Sequence, residues 1–528
     1  MKKIVLASLA FALGWGGTAF AQTEVDALRY TQLGVAGSAR TQGIGGAQTA
    51  LGADVSNLSG NPAGLGMFRR SEFSLTPALQ FSTTDTRING VQQSDERNLL
   101  TIPQASIILS NRKGDDDDSD WRGLNFGIGI TRLNNFNQRI NYANTSTPPN
   151  TIVDYFAEQA NNRALEAGLT LRQSLDAEYD AGLNTIEGLA YSNYLIDVLE
   201  DDLGQYAAPL YSLGDVAQNE EIQRRGSQNQ IDIGVGTSYR DKIYLGASLG
   251  IVTTNFTQES IFRESGIYSS SFDEDGNPVV DQNGNAILDN YNLELYDDFT
   301  TRGAGVNLKL GIIARPIDAL RLGASIQTPT AYTLTDTYQR TLTATTFNPD
   351  TGTPEGTSAS ESPGNFSYNL TTPLRASGGV AVFLGKYGFI TGDIEYVNYA
   401  GSRFNEDDEF GSGTSSYFSN LNNAISSTYQ SAMNYRIGAE GRYEAFRLRA
   451  GYAYSGDPYQ SAALDGAVKS FTAGAGVRLL NYYADIAFVS SKSDTRYSPY
   501  TFMSDGGEPV LDINNRQNSV LLTVGYNF

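Results

Sequence analysis

The chain has no cysteine and no histidine, and only two tryptophans and four methionines in 528 residues. Without thiols or imidazoles there is no disulfide, no Cys/His metal centre, no Cys nucleophile and no Ser-His-Asp triad. The usual protein ligands of haem iron are absent as well, which leaves only Tyr or Met for that role. Carboxylate pairs remain, but none has a recognisable hydrolytic spacing. The sequence therefore reads as a non-enzyme with no metal and no cofactor. Basic residues are scarce, 37 Lys+Arg against 58 Asp+Glu for a net charge of -21, so the basic footprint that a nucleic-acid partner requires is missing. Beyond the first twenty residues no apolar run approaches the ~18 residues of a spanning helix.

What is present is glycine (55), tyrosine (31) and phenylalanine (24), arranged in alternation. Residues 1–21 read as a signal peptide: Lys2 and Lys3 give a positive start, Ile4 to Leu13 an apolar stretch, and Ala19-Phe20-Ala21 a small-residue cleavage site. The product is expected to leave the cytoplasm without a helical anchor.

After about residue 70 the chain breaks into segments of alternating apolar and polar or small residues, as membrane-spanning strands require. In the last one, Val520, Leu522, Val524, Tyr526 and Phe528 share one face, and Ser519, Thr523, Gly525 and Asn527 the other, with Leu521 the exception. Its terminal Phe resembles the C-terminal signal by which the barrel-assembly machinery recognises bacterial outer-membrane proteins. Fourteen candidate strands start near Glu72, Leu99, Arg122, Asn229, Lys242, Thr300, Leu320, Asn365, Tyr387, Gln430, Ala445, Gly466, Asn481 and Arg516. Short connections, such as Arg240-Asp241, Gly385-Lys386 and Glu444, are each followed by a longer one. That parity suits an even-stranded up-and-down barrel and not a Greek-key sandwich. The expected fold is all-β, a transmembrane antiparallel barrel of about 14 strands over residues 71–528, with strands of about 11 residues. Long extracellular loops are expected at 138–228, 258–299, 339–364 and 402–429. The barrel would sit in a Gram-negative type outer membrane, among lipid and lipopolysaccharide.

Residues 22–70 are small and glycine-rich, too short for a core of their own but able to pack inside a pore. The run Gly37-Ser-Ala-Arg-Thr-Gln-Gly-Ile-Gly-Gly-Ala, followed by Asn61-Pro62-Ala63-Gly64-Leu65, resembles the N-terminal hatch of the FadL/TodX family of outer-membrane transporters for hydrophobic compounds. Leu320-Arg-Leu-Gly-Ala-Ser-Ile-Gln-Thr-Pro, Thr372-Pro-Leu-Arg-Ala-Ser-Gly-Gly, Gly392-Asp-Ile-Glu-Tyr-Val-Asn-Tyr and Tyr435-Arg-Ile-Gly-Ala-Glu are similar to that family's strand segments. The resemblance implies a fourteen-stranded barrel plugged by its N-terminal hatch. It also implies capture of a hydrophobic small molecule, such as a long-chain fatty acid, at the loops, and lateral release beside a kinked strand. Asn61, Pro62 and Ala63 match the hatch motif. Gly127 and Gly129 are candidates for the kink, or else thin positions facing the lumen.

Two places offer ligand chemistry. Between Thr151 and Leu203 apolar residues recur at helical spacing, including Ile152, Phe156, Leu175, Tyr179, Leu195, Val198 and Leu199. They predict two or three amphipathic helices that form either a capture groove, with Ile152, Phe156, Leu175 and Tyr179 as contacts, or a cap on the barrel. Strand phase puts Arg321, Arg375, Arg436, Arg447 and Arg449 in the lumen, with Asp232, Lys309, Asp393, Glu395, Glu440, Arg442 and Asp485. The arginines either clamp a ligand carboxylate or pair with neighbouring acids. An eight-residue Asp/Asn-Gly repeat at 273–289 is oxygen-rich but lacks calcium-loop spacing. The alternative function is a non-transporting barrel adaptor that holds secreted or surface proteins on its loops.

Overall fold

The computed structural model describes residues 23–114, 117–201, 204–209, 214–269, 288–347, 354–407, 415–503 and 507–528. The signal sequence and most of the 273–289 repeat lie outside the described residues.

Nineteen hydrogen-bonded pieces form one sheet that closes on itself. Four pairs of pieces are halves of one interrupted strand, and Pro354–Ser360 is a flap, which leaves a closed barrel of fourteen strands. These are β1 (Glu72–Ile88), β2 (Val91–Arg112), β3 (Trp121–Asn135, continued by Gln138–Ser146), β4 (Val216–Tyr239), β5 (Ile243–Ser269) and β6 (Leu288–Ile317). They continue with β7 (Leu320–Gln327 and Ala331–Phe347), β8 (Gly364–Thr371 and Arg375–Phe383) and β9 (Gly388–Asn398 and Arg403–Glu406). The ring is completed by β10 (Ser431–Tyr443), β11 (Phe446–Ser455), β12 (Val468–Arg478), β13 (Tyr482–Tyr497) and β14 (Leu511–Asn527). Every neighbouring pair is antiparallel, and β14 returns to β1 in register from Glu72↔Asn527 to Arg87↔Asp512. Closure satisfies the backbone of the strands in lipid except along one stretch of β2, which is how a chain of mean hydropathy -0.31 spans a membrane although no helix among the described residues is long and apolar enough to cross one.

Alternation sorts the two faces. On β4, Ile231, Ile233 and Val235 are exposed to the outside, while Gln230 and Asp232, which alternate with them, are buried within. On β14, Leu522, Val524 and Tyr526 face out, and Leu521 and Thr523 are buried. A soluble sheet would cover those apolar side chains; here they form the lipid-facing band of an outer-membrane type barrel. Exposed Tyr387, Tyr443, Phe446 and Tyr482 at the short-turn rim supply the aromatic girdle.

Three expectations are corrected. Strands are not uniformly about 11 residues: β4, β5 and β6 run 24, 27 and 30 residues and continue as a sheet above the lipid. Much of the supposed loops 138–228, 258–299 and 339–364 is therefore strand, and 402–429 holds a helix. The alternation of turn lengths also fails between β1 and β2, which meet at the tight turn Asn89-Gly90, both with positive φ as a twisted hairpin requires. Leu195, Val198 and Leu199 are not helical, because Ile196–Asp201 pairs with Gly204–Pro209 in a separate hairpin.

The chain before β1 forms α1 (Glu24–Thr31), α2 (Ala39–Gln42) and two short 3-10 turns, Val55–Leu58 and Pro62–Met67. Between β3 and β4 lie α3 (Ile152–Ala167), α4 (Leu171–Ala181) and α5 (Ile186–Ser192); α6 (Ser415–Thr428) precedes β10.

Candidate functional site

Residues 23–70 touch the inward face of strands all round the ring. The amide of Ala39 donates to Thr523 on β14, that of Gly45 to Thr472 on β12, and that of Thr49 to Asp393 on β9. Leu58 O accepts from Ser248 on β5, and Leu65 O from Asn125 on β3. Side chains cannot intervene where backbones come this close, and the barrel's inward glycines provide the room. A Cβ at Gly311 would collide with Asn61 Oδ1, one at Gly246 with the Pro62 carbonyl, and one at Gly438 with Ile44. Asn61 is the anchor: its Oδ1 accepts from Ala63 N at 3.1 Å, and its Nδ2 donates to Thr49 O at 2.7 Å and reaches Ile312 O and Ala324 O at 3.3 Å. Proline at the first position of the following turn has a preset φ and no N–H to satisfy. Asn61-Pro62-Ala63 is thus a seat on β6 and β7.

The lumen arginines are engaged. Arg449, with no side-chain exposure, bonds Glu440 and Asp485 at 2.7 Å each. Arg442 reaches Glu440 at 2.7 Å, and Arg375 and Arg436 share Glu395 at 3.3 Å. Arg375 also donates to Thr31 O, and Arg321 to Leu51 O while lying 4.3 Å over the Phe383 ring. Lys309 pairs with Asp232 at 3.2 Å. Arg447 does not reach into the lumen, because its guanidinium donates to Glu444 O and Phe446 O at the rim, both at 2.7 Å. Of the two readings, clamp or pairing, Arg449 is paired with acids, while Arg447 lies at the rim.

Above the lipid, α3 to α5 close over the extended strands. Ile152, Phe156 and Leu175 are buried against Ile140, Phe262, Leu293, Leu342 and Ile513, whereas Tyr179 is exposed. The helices thus lie over the barrel mouth with three of the four named side chains turned inward. Glu264 holds α3 by accepting from Ile152 N at 3.1 Å, and beneath the helices Arg340 bridges Asp297 at 2.7 Å and Glu361 at 3.6 Å across the extended strands. Burial pushes the Glu220 and Glu361 carboxyls up to about 7. Below the cap, α1 and α6 fill an aromatic layer with Tyr30, Phe136, Phe256, Tyr332, Phe366 and Phe404.

One stretch of wall is incomplete. β2 pairs with β1 along its length, from Ile88↔Val91 to Glu72↔Ile108, but its ladder with β3 ends at Gln104↔Thr131. Beyond Thr131, β3 bulges at Arg132/Asn134, breaks at Phe136-Asn137 and turns inward, where Asn141 donates to Asp95 and Thr86 to Asn141 O. The bend is tied to the N-terminal segment, since Asn134 Nδ2 donates to Arg29 O and Gln32 O at 3.3 Å. The edge of β2 left open carries outward Leu100 and Ile102, level with outward Leu79 on β1. The kink is thus not at Gly127 or Gly129. Those are thin positions facing the lumen, where a Cβ would press on Leu58 and on β2 side chains. Glu24, Tyr429 and Tyr459, which meet at a mouth cavity, were not singled out by sequence, because 405 residues separate Glu24 from Tyr429.

No family model matches the chain, and no curated protein matches it. Among solved structures, a Pseudomonas aeruginosa FadL homologue is similar over 94% of this chain and 100% of its own, at 11% identity and TM-score 0.52. The P. putida toluene transporter TodX is matched over 93% of this chain and 98% of its own, at 14% identity and TM-score 0.48. The chain has the fold of the FadL-type outer-membrane barrel.

Proposed function

We propose that this protein carries hydrophobic small molecules across the outer membrane by binding and diffusion, with residues 22–70 as a hatch inside a barrel of residues 71–528. A ligand enters beside the cap, crosses the aromatic layer when the hatch shifts, and leaves sideways into lipid between β2 and β3. The observation that carries this reading is the open edge of β2 beyond Gln104, because a gap in a barrel wall at lipid height exposes unpaired backbone that a sealed barrel would avoid. Asn134 links the gap to the hatch, so one displacement serves both. With Arg321, Arg375, Arg436 and Arg449 already occupied, neutral hydrophobes suit the lumen better than a fatty-acid carboxylate.

The test is a variant lacking Phe136 and Asn137, in which β3 runs straight and can extend its ladder on β2. Cells producing it should lose uptake of a labelled aromatic hydrocarbon while the barrel remains folded in the membrane. Undiminished uptake with a sealed wall would sink lateral release. Native mass spectrometry of the detergent-purified protein separates transport from the adaptor alternative, since a stoichiometric protein partner with no small ligand would favour the adaptor.

A further inference from the structure

At the extracellular mouth a cavity of about 650 Å³ lies between the start of α1, the end of α6, the segment after β11 and the upper ends of β13 and β14. Its lining combines an apolar and aromatic wall, Val25, Tyr429, Tyr459 and Ile513, with five carboxylates and two guanidiniums. One of the guanidiniums, Arg496, is already paired with Asp512 at 2.9 Å. Glu24 is only 7% exposed, and its carboxyl takes a hydrogen bond from its own backbone amide but, among the described residues, no hydrogen bond or ion pair from another side chain. A buried carboxylate with no opposite charge beside it is costly unless something supplies that charge. Burial accordingly pushes the Glu24 carboxyl up to about 7.

The aromatic side of the cavity is built rigidly. The Tyr429 and Tyr459 rings lie 5.5 Å apart, and Tyr429 OH donates to Glu24 O at 3.1 Å, which fixes the ring beside that residue. Gln430 Nε2 donates to Tyr459 O and Gln460 Nε2 to Tyr429 O, both at 2.6 Å, locking the two segments together. Aromatic faces next to a carboxylate recognise a positive head with an apolar body, through cation–π attraction and a charge-assisted contact. The same carboxylates repel an anionic head.

We infer that this cavity binds a hydrophobic organic cation, its ammonium head between the Glu24 carboxylate and the Tyr429 and Tyr459 rings. The site deepens the transport reading, on which its physiological sense rests, by naming a positively charged amphiphile as a substrate class. Binding itself is tested apart from passage.

Calorimetric titration of the full-length protein in nonionic detergent would use benzyltrimethylammonium, with toluene and phenylacetate as neutral and anionic controls. The cation should bind at least ~tenfold more tightly than phenylacetate, and Glu24→Gln should weaken the cation by ~tenfold while leaving toluene unchanged. Should Glu24→Gln fail to fold, the comparison of Tyr459→Leu with Tyr459→Phe replaces it, since only the first removes the ring and should weaken the cation. Equal binding of cation and anion, or a folded Glu24→Gln protein that binds the cation unchanged, overturns the proposal. Liposomes report the two readings separately. Hydrocarbon passage without cation binding refutes this site alone, and cation binding without passage of any probe refutes transport alone.

Discussion

At the scale of single residues, the decisive chemistry is whether each inward charge has a partner. Arg449 sits between Glu440 and Asp485 with no exposure, and those acids also serve Arg442 and Arg478. Removing its guanidinium takes one cation from each of two buried carboxylates that keep Arg442 and Arg478, so the cost stays below the ~3–5 kcal/mol of a buried charge left with no partner at all. Arg449→Ala should lower the thermal unfolding midpoint markedly and reduce binding of carboxylate and neutral ligands alike. Arg447→Ala, which loses only contacts to carbonyls at the rim, should leave the midpoint close to that of the parent. A selective loss of carboxylate ligands in Arg449→Ala would restore the clamp. Most of the inward charges were legible in the sequence from strand phase, Arg447 at the rim being the exception. Which of them were already satisfied was not, because Arg449 and Asp485 lie 36 residues apart and meet only through the registers of β11, β12 and β13.

At the scale of elements, the layer beneath the cap of α3 to α5 carries carboxyls whose titration makes its stability depend on pH. Glu220, bonded by Tyr497 OH at 3.0 Å, and Glu361 both have folded values near 7, above the ~4.3 of an unfolded glutamate. A group raised in this way binds its proton more tightly in the folded state, so its contribution is complete below the unfolded value and is lost as pH rises through 7. The cap should therefore protect its amides better at pH 5 than at pH 8. Hydrogen exchange over 152–167, corrected for the intrinsic rate, would show this, and Glu361→Gln should flatten the difference; greater protection at pH 8 would contradict it. The helices themselves were readable, since Thr151 and Thr170 form capping boxes and Gly168 and Gly182 end α3 and α4 in the left-handed region. What their apolar faces cover was open in the sequence, as a cap and a groove require the same periodicity.

At the scale of the whole molecule, closure and capping are separable. The barrel ladder passes from β3 to β4 through Gln138↔Arg224 to Ser146↔Val216 without using α3 to α5. Deleting 151–203 should leave a folded barrel in the membrane, but one that exposes Ile140, Phe262 and Leu293 at its mouth. Such a variant should bind an apolar dye more strongly and admit hydrocarbons faster. If uptake falls instead, the cap itself captures ligand.

The sequence alone determined the fourteen strands, the sorting of lipid-facing from lumen-facing side chains, and the Asn61-Pro62-Ala63 turn. These follow from period-two alternation and local turn chemistry, which act between neighbours along one chain segment. Only the tertiary structure decided where the wall stays open, because a ladder that ends at Gln104↔Thr131 is a relation between two strands and leaves no mark in the pattern of either. The same holds for Glu24 beside Tyr429, joined across 405 residues. Their meeting depends on how far the N-terminal segment threads into the ring, which is fixed by backbone contact with glycines on strands distributed along the whole chain.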